Sequence, residues 1–195
     1  MITYRNDIGA PTSPDHQYHL GDTEWEDVEA GVSYALSHGA QDLVLFGWSM
    51  GGCLVETFLR RSSYAAHVRA IVLDSPILNW QRVLEAQVQR MHLPHWCGSL
   101  LKWMVARFAH IDFAAFNYER SAGEISIPTL LFHGMADVQV PVKSSDLYVE
   151  ARSNWTTYRR VEGVDHTLVW NADPQIYEEA LAMFLQRVTP SEISL

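Results

Sequence analysis

Ser49 stands inside Gly47-Trp48-Ser49-Met50-Gly51, directly after the run Asp42-Leu43-Val44-Leu45-Phe46. A Gly-x-Ser-x-Gly run between a buried strand and a helix makes a sharp elbow that lifts the serine hydroxyl above the sheet edge. The two flanking glycines are expected where backbone segments approach too closely for a side chain. The N–H of Met50, at the start of a helix over 50–61, points toward an oxyanion formed at that hydroxyl. The chemistry is nucleophilic attack on an acyl carbon. Glycine and serine are common in loops, so the pentapeptide alone is weak. The strand before it and the helix after it carry the reading.

A nucleophilic serine needs a base and a group that orients the base. Pro128-Thr129-Leu130-Leu131-Phe132-His133 reads as a buried strand, and Gly134-Met135-Ala136-Asp137 follows it. Residues 156–161 read as another strand, and Glu162-Gly163-Val164-Asp165-His166 follows. Asp137 and His166 each lie in a loop just after a strand. In an open parallel sheet such loops share one edge, so residues far apart in sequence converge there. Asp74, in Val72-Leu73-Asp74-Ser75-Pro76, also follows a strand and is the rival for the acid. Asp165 adjoins His166, and neighbouring side chains seldom bond each other. His133 is expected to be structural, fixing the loop that carries Asp137. His16, His19, His38, His67 and His110 read as ordinary histidines. His92-Leu93-Pro94-His95-Trp96-Cys97 has zinc-ligand types, yet Pro94 interrupts a helix and no second cluster completes the four ligands of a structural site. No metal is expected.

These segments resemble the α/β-hydrolase family. The matching motifs are Gly-Trp-Ser-Met-Gly-Gly at 47–52, His-Gly-x-x-Asp-x-x-Val-Pro at 133–141, and Gly-x-x-His at 163–166. The resemblance covers nearly the whole chain. It implies Ser49 as nucleophile, Asp137 as acid, His166 as base, and no metal or organic cofactor. It also implies that 77–122 is a cap inserted over the active site. That stretch carries Trp80, Leu84, Val88, Met91, Trp96, Leu100, Leu101, Trp103, Met104, Phe108 and Phe113 at helical spacing, with Pro94 and Gly98 as breaks. Most of these pack the cap on the core. Trp96 and Trp103, with Trp48 beside the nucleophile, are the candidate contacts to an apolar substrate.

One departure from the family matters. Family members carry three more strands and a helix before the segment that matches residues 2–5, and a loop there supplies the second oxyanion N–H. This leaves an opening in the sheet's middle, and an unpaired central edge is costly. Three outcomes are open: the short strand expected at 2–5 moves against the elbow strand, another chain fills the space, or the sequence is a piece of a longer product. We expect the first. The outer edge of strand 2–5 would then invite a homodimer.

The elements that position these residues alternate between strand and helix, which predicts an α/β fold, a mostly parallel sheet with helices on both faces. A helix is expected from Thr23, with Thr23-x-x-Glu26 as capping box, to Gly39. Strands follow at 43–46, 68–73, 128–133 and 156–161, with helices at 50–61 and 143–152. Asp173-Pro174 opens a last helix to 188. The 195 residues suit one domain. A net charge of −9 without a basic cluster argues against a nucleic-acid partner. Cys53 and Cys97 do not make a disulfide framework. No apolar run approaches the ~20 residues of a membrane span, and residues 1–7 lack a signal-peptide layout. A cytoplasmic protein is expected.

Three functions fit: a serine esterase or acyl hydrolase acting on a small, apolar substrate through an acyl-enzyme; a small-peptide serine peptidase; and a catalytically impaired hydrolase-like binding domain.

Overall fold

Among the described residues, four apolar runs between turn signals become strands, and all four point the same way. The computed structural model describes residues 2–108 and 111–189; His110 lies outside them. In chain order the elements are α1 (Trp25–Ser37), β1 (Leu43–Trp48), α2 (Met50–Arg61), β2 (Val68–Asp74), α3 (Trp80–Arg90), α4 (His95–Phe108), α5 (Tyr118–Ser121), β3 (Thr129–Gly134), α6 (Val142–Ala151), β4 (Thr156–Val161), α7 (Val169–Ala172) and α8 (Pro174–Val188). The sheet order is β1-β2-β3-β4, parallel throughout. Every strand therefore ends on one edge, and the loops after β1, β3 and β4 share it.

Alternation along β2 builds the two layers. Ile71 and Leu73 pack with Val28 and Val32 of α1, Leu54 and Phe58 of α2, and Tyr148 of α6. Ala70 and Val72 pack with Tyr177, Ala180 and Phe184 of α8. β2 and β3 are buried on both faces, as their near-continuous apolar sequences require. α8 begins as expected: the Asp173 carboxylate accepts from Ile176 N at 3.0 Å, and Pro174 occupies the first turn. Among the described residues no helix is long and apolar enough to cross a membrane.

Two N-terminal expectations are corrected. Residues 2–5 form no strand and do not pair with β1. Carboxylates take the backbone donors that a ladder would need. Tyr4 N donates to Asp7 at 3.3 Å and Arg5 N to Asp27 at 2.9 Å. The Arg5 guanidinium also bonds Asp27 and Glu26, so the segment is tied to α1 rather than to the sheet. β1 is consequently an edge strand. A trough of about 650 Å³ separates it from Ile2, Thr3 and Tyr4. The Thr23–Glu26 capping box is also absent. α1 starts after Glu24, whose buried carboxylate instead accepts from the N–H groups of His19 and Gly21, at 2.7 and 2.9 Å.

Between β2 and β3 the chain leaves the sheet for α3, α4 and α5. Asn79 caps α3 by accepting from Gln81 N at 3.0 Å. Tyr118 N donates to Leu78 O at 2.9 Å and closes the base of the excursion. Pro94 separates α3 from α4, as its missing N–H and fixed φ dictate.

Tight glycines set the elbow. A Cβ on Gly47 would lie 2.6 Å from Gly51 O, and one on Gly52 would lie 2.5 Å from the Pro76 Cβ. Gly51 itself is open, with nothing closer than the Tyr4 hydroxyl at 3.8 Å, so the second crowded position is Gly52 and not Gly51. We predict that Gly52→Ala destabilises the protein by about 1–3 kcal/mol through overpacking against Pro76, whereas Gly51→Ala leaves the midpoint of urea unfolding nearly unmoved. Equal losses in both variants would contradict this packing.

Candidate active site

β1 delivers Ser49 at its C-terminal end with φ 50° and ψ −117°. A side chain in that region is strained, and such residues persist only where the surroundings over-determine them. Here Ser49 N donates to Asp74 O at 3.0 Å, and Ser49 O accepts from Gly52 N at 3.0 Å and Ile77 N at 2.9 Å. α2 begins at the next residue, so the Met50 N–H is one of the first-turn donors without an intrahelical partner. The helix dipole adds partial positive charge there.

The loop after β3 supplies Asp137, whose side chain is wholly buried. Its Oδ1 accepts from Gln139 N at 2.9 Å and Val140 N at 2.8 Å. Its Oδ2 lies 2.7 Å from His166 Nδ1 and 3.2 Å from His133 Nε2. Burial alone would push this carboxyl up. The bonds from His133, His166 and the Val140 N–H outweigh it and hold the group well below the usual carboxylate range. Asp137 is thus a fixed anion.

The loop after β4 supplies His166. With Nδ1–H donating to Asp137, the neutral ring presents Nε2 as an acceptor, and the Ser49 hydroxyl donates to it at 2.9 Å. An unbroken line runs from carboxylate to imidazole to hydroxyl. It can remove the serine proton as the oxygen attacks, and return it to a leaving group.

The neighbours expected to be bystanders have defined places. His133 is buried between Ser145, whose hydroxyl bonds Nδ1 at 2.7 Å, and Val140 O at 3.0 Å, so it braces the Asp137 loop. Asp165 points away from its neighbour's ring. Its Oδ1 instead accepts from His166 N at 2.7 Å and Val138 N at 3.2 Å, tying the two loops together. That brace had no sequence signal beyond adjacency to His166. Asp74 does not reach the imidazole. Its oxygens bond the Ser75 hydroxyl at 3.1 Å and the Tyr177 hydroxyl at 3.2 Å.

Of the three tryptophans expected at the substrate, Trp48 adjoins Ser49, stacks on Phe46 with ring centroids 4.0 Å apart, and is 49% exposed. Trp96 and Trp103 lie on α4 with 65% and 60% of their surface exposed, and Trp103 lines a groove between α3 and α4. That groove's lining includes neither Ser49 nor Trp96. Met50 opens α2, directly after Ser49. Among the described residues no cluster of three or more His, Cys, Asp or Glu side chains is arranged to hold a metal.

Comparison with known proteins agrees with this architecture. The profile of the prolyl oligopeptidase family matches residues 13–189. No curated protein matches at a significant level. An esterase from Pyrococcus furiosus superposes with a TM-score of 0.67 at 20% identity, over 92% of this chain and 66% of its own. The esterase RhEst1 from Rhodococcus sp. ECU1013 gives 0.63 at 15% identity, over 95% and 79%. A bromoperoxidase from Bacillus anthracis gives 0.61 at 20% identity, over 91% and 78%. At these identities the likeness is one of fold, the α/β-hydrolase fold. The chain spans slightly under two thirds of the length of the Pyrococcus furiosus esterase.

The lowered pKa of Asp137 has a consequence for stability. A carboxyl whose folded pKa lies below its unfolded value of about 3.9 stabilises the fold fully above that value and loses its contribution as pH falls toward the folded one. Asp137→Asn should therefore be less stable than the wild type at pH 7, with the gap closing as pH falls below about 4. Urea unfolding at a series of pH values measures it, and a gap that widens on acidification would contradict the assignment.

Proposed function

Since the chain belongs to the prolyl oligopeptidase family, we propose that it is a serine hydrolase whose triad is Ser49, His166 and Asp137. The observation that carries this is the hydrogen-bonded line of 2.9 Å and 2.7 Å from hydroxyl to imidazole to buried carboxylate. Ser49 Oγ attacks the substrate carbonyl carbon, and His166 Nε2 takes the hydroxyl proton. The tetrahedral oxyanion lies at the Met50 N–H. His166 then protonates the leaving group, and the carbonyl re-forms as an acyl-Ser49. Water gives its proton to His166 as it attacks that acyl carbon, and the acid departs as Ser49 recovers its proton. Asp137 holds the ring in the tautomer this cycle needs. No step calls for a metal or organic cofactor. We read 1–195 as one hydrolase domain and 77–122 as its cap.

The substrate we favour is a small apolar ester. Its support is the apolar cap, the exposed Trp48 beside the nucleophile, and the net charge of −9, which disfavours anionic substrates at a distance. The family match favours a second reading, cleavage of small peptides by the same triad. A chain-length panel of p-nitrophenyl esters, run beside dipeptide and aminoacyl anilide substrates, separates the two. We also place self-association at the free edge of β1, where unpaired backbone groups can meet those of a second copy. Val44→Lys should lower any concentration-dependent association seen by light scattering, and a monomer at all concentrations sinks that reading.

A fluorophosphonate probe tests the triad directly, because it reports an activated serine whatever the substrate. We expect stoichiometric labelling of the wild type and none of Ser49→Ala, with the circular dichroism of the two alike. Asp137→Asn should lower kcat by about 10⁴ by favouring the wrong tautomer. A wild type that resists the probe would leave a binding domain as the reading.

A further inference from the structure

The segment that leaves β2 touches both halves of the candidate triad. Asp74 O accepts from Ser49 N at 3.0 Å, and Ile77 N donates to Ser49 O at 2.9 Å. Both backbone polar groups of the strained serine are thus bonded to residues 74–77. The same segment reaches the base. Ser75 Oγ accepts from Thr167 N at 3.1 Å and donates to Asp74 Oδ1 at 3.1 Å. Thr167 directly follows His166. The far oxygen of Asp74 accepts from the Tyr177 hydroxyl of α8 at 3.2 Å, and Ser75 N donates to Phe132 O of β3 at 2.9 Å. Ser49, Ser75 and Thr167 all have positive φ, at 50°, 47° and 53°. Three strained residues in a single bonded network are over-determined by one another rather than by local sequence.

We propose that Asp74 and Ser75 are positioning residues, a clamp that sets the distance between the Ser49 hydroxyl and His166 Nε2. The Ser75 hydroxyl is suited to this because it uses both of its roles. As acceptor it holds the backbone beside the base, and as donor it is aimed by Asp74. Asp74 is suited because it is buried and cannot swing into water. Burial pushes its carboxyl up, against the opposing pull of Ser75, Tyr177 and the nearby His133 and His166. Either a carboxylate or a neutral isostere with an acceptor oxygen toward Ser75 does the work. This separates the clamp from the acid of the triad, which must be an anion facing the imidazole.

The inference rests on the serine-hydrolase reading, and its test is arranged to fail separately. The wild type is first titrated with the fluorophosphonate probe, so that kcat is expressed per reactive serine. Ser75→Ala should then lower kcat and the probe's labelling rate by about ten- to a hundredfold while KM stays near the wild-type value, the signature of misplaced reacting atoms rather than lost binding. Ser75→Gly, which accepts positive φ without strain, should show the same loss and so removes misfolding as the cause. Asp74→Asn keeps an acceptor for Ser75 and should remain within about fivefold of wild type, whereas Asp74→Ala should behave like Ser75→Ala. Tyr177→Phe, which keeps the stack on Phe132, should give a smaller loss in kcat. Unchanged kcat per labelled serine in both Ser75 variants overturns the clamp while leaving the triad standing. A crippled Asp74→Asn with a nearly silent Asp137→Asn also overturns it, because Asp74 would then be the acid.

Discussion

The backbone of Ser49 is the constraint on which the site depends. To hold a hydroxyl above the end of a parallel strand, the chain must reverse within one residue, and it does so at φ 50°. That conformation is unfavourable for a side-chain-bearing residue, so the surroundings must hold it in place. Gly47 and Gly52 permit the close approach of strand and helix, and residues 74–77 bond the serine's N–H and C=O. The strain is thereby distributed over β2 and α2, which are buried elements. A loop without such neighbours would relax to an ordinary turn and lose the aim of the hydroxyl.

The same economy governs the other two side chains. Asp137 and His166 sit on loops, yet neither loop is free. Asp165 ties one to the other, His133 braces the first from below, and Ser75 holds the second from the side. Charge is confined in this arrangement. Asp137 is wholly buried, with four hydrogen-bond donors around it, so its anion persists in a region where an unpaired carboxylate would take up a proton. A carboxylate against Nδ1 fixes the tautomer in which Nε2 faces the Ser49 hydroxyl.

A second buried carboxylate plays a structural part. Glu56 of α2 is fully buried and is met by Arg60, by the Tyr148 hydroxyl of α6, and by Arg152 at 3.7 Å. Arg152 in turn reaches Ile127 O at 2.7 Å and Thr129 Oγ1 at 3.1 Å at the start of β3. The network fixes the elbow helix against α6 and β3. Removing one partner would leave a charge buried without compensation, which is far costlier than the pair is stabilising. On α4, by contrast, Trp96, Leu100, Trp103 and Met104 are all exposed.

Local chemistry made much of this legible in the sequence. The strands at 68–74, 129–134 and 156–161, the elbow at 47–52 and the start of α8 at Asp173-Pro174 follow from apolar runs, glycines and caps, all of which act over a few residues. The convergence of Ser49, Asp137 and His166 was legible because a parallel sheet collects the loops after its strands on one edge. What the sequence left open depends on partners distant in the chain. Residues 2–5 have the composition of a strand, but Asp27 and Glu26, more than twenty positions away, claim Arg5 and its backbone N–H. Asp74 and Asp137 are both acids after strands, and only the packed sheet decides which faces the imidazole. Ser75, Asp165 and Glu56 carry no motif at all. Their roles arise from hydrogen bonds that exist once the strands are in register, since a buried polar atom takes whichever partner the tertiary fold places within reach.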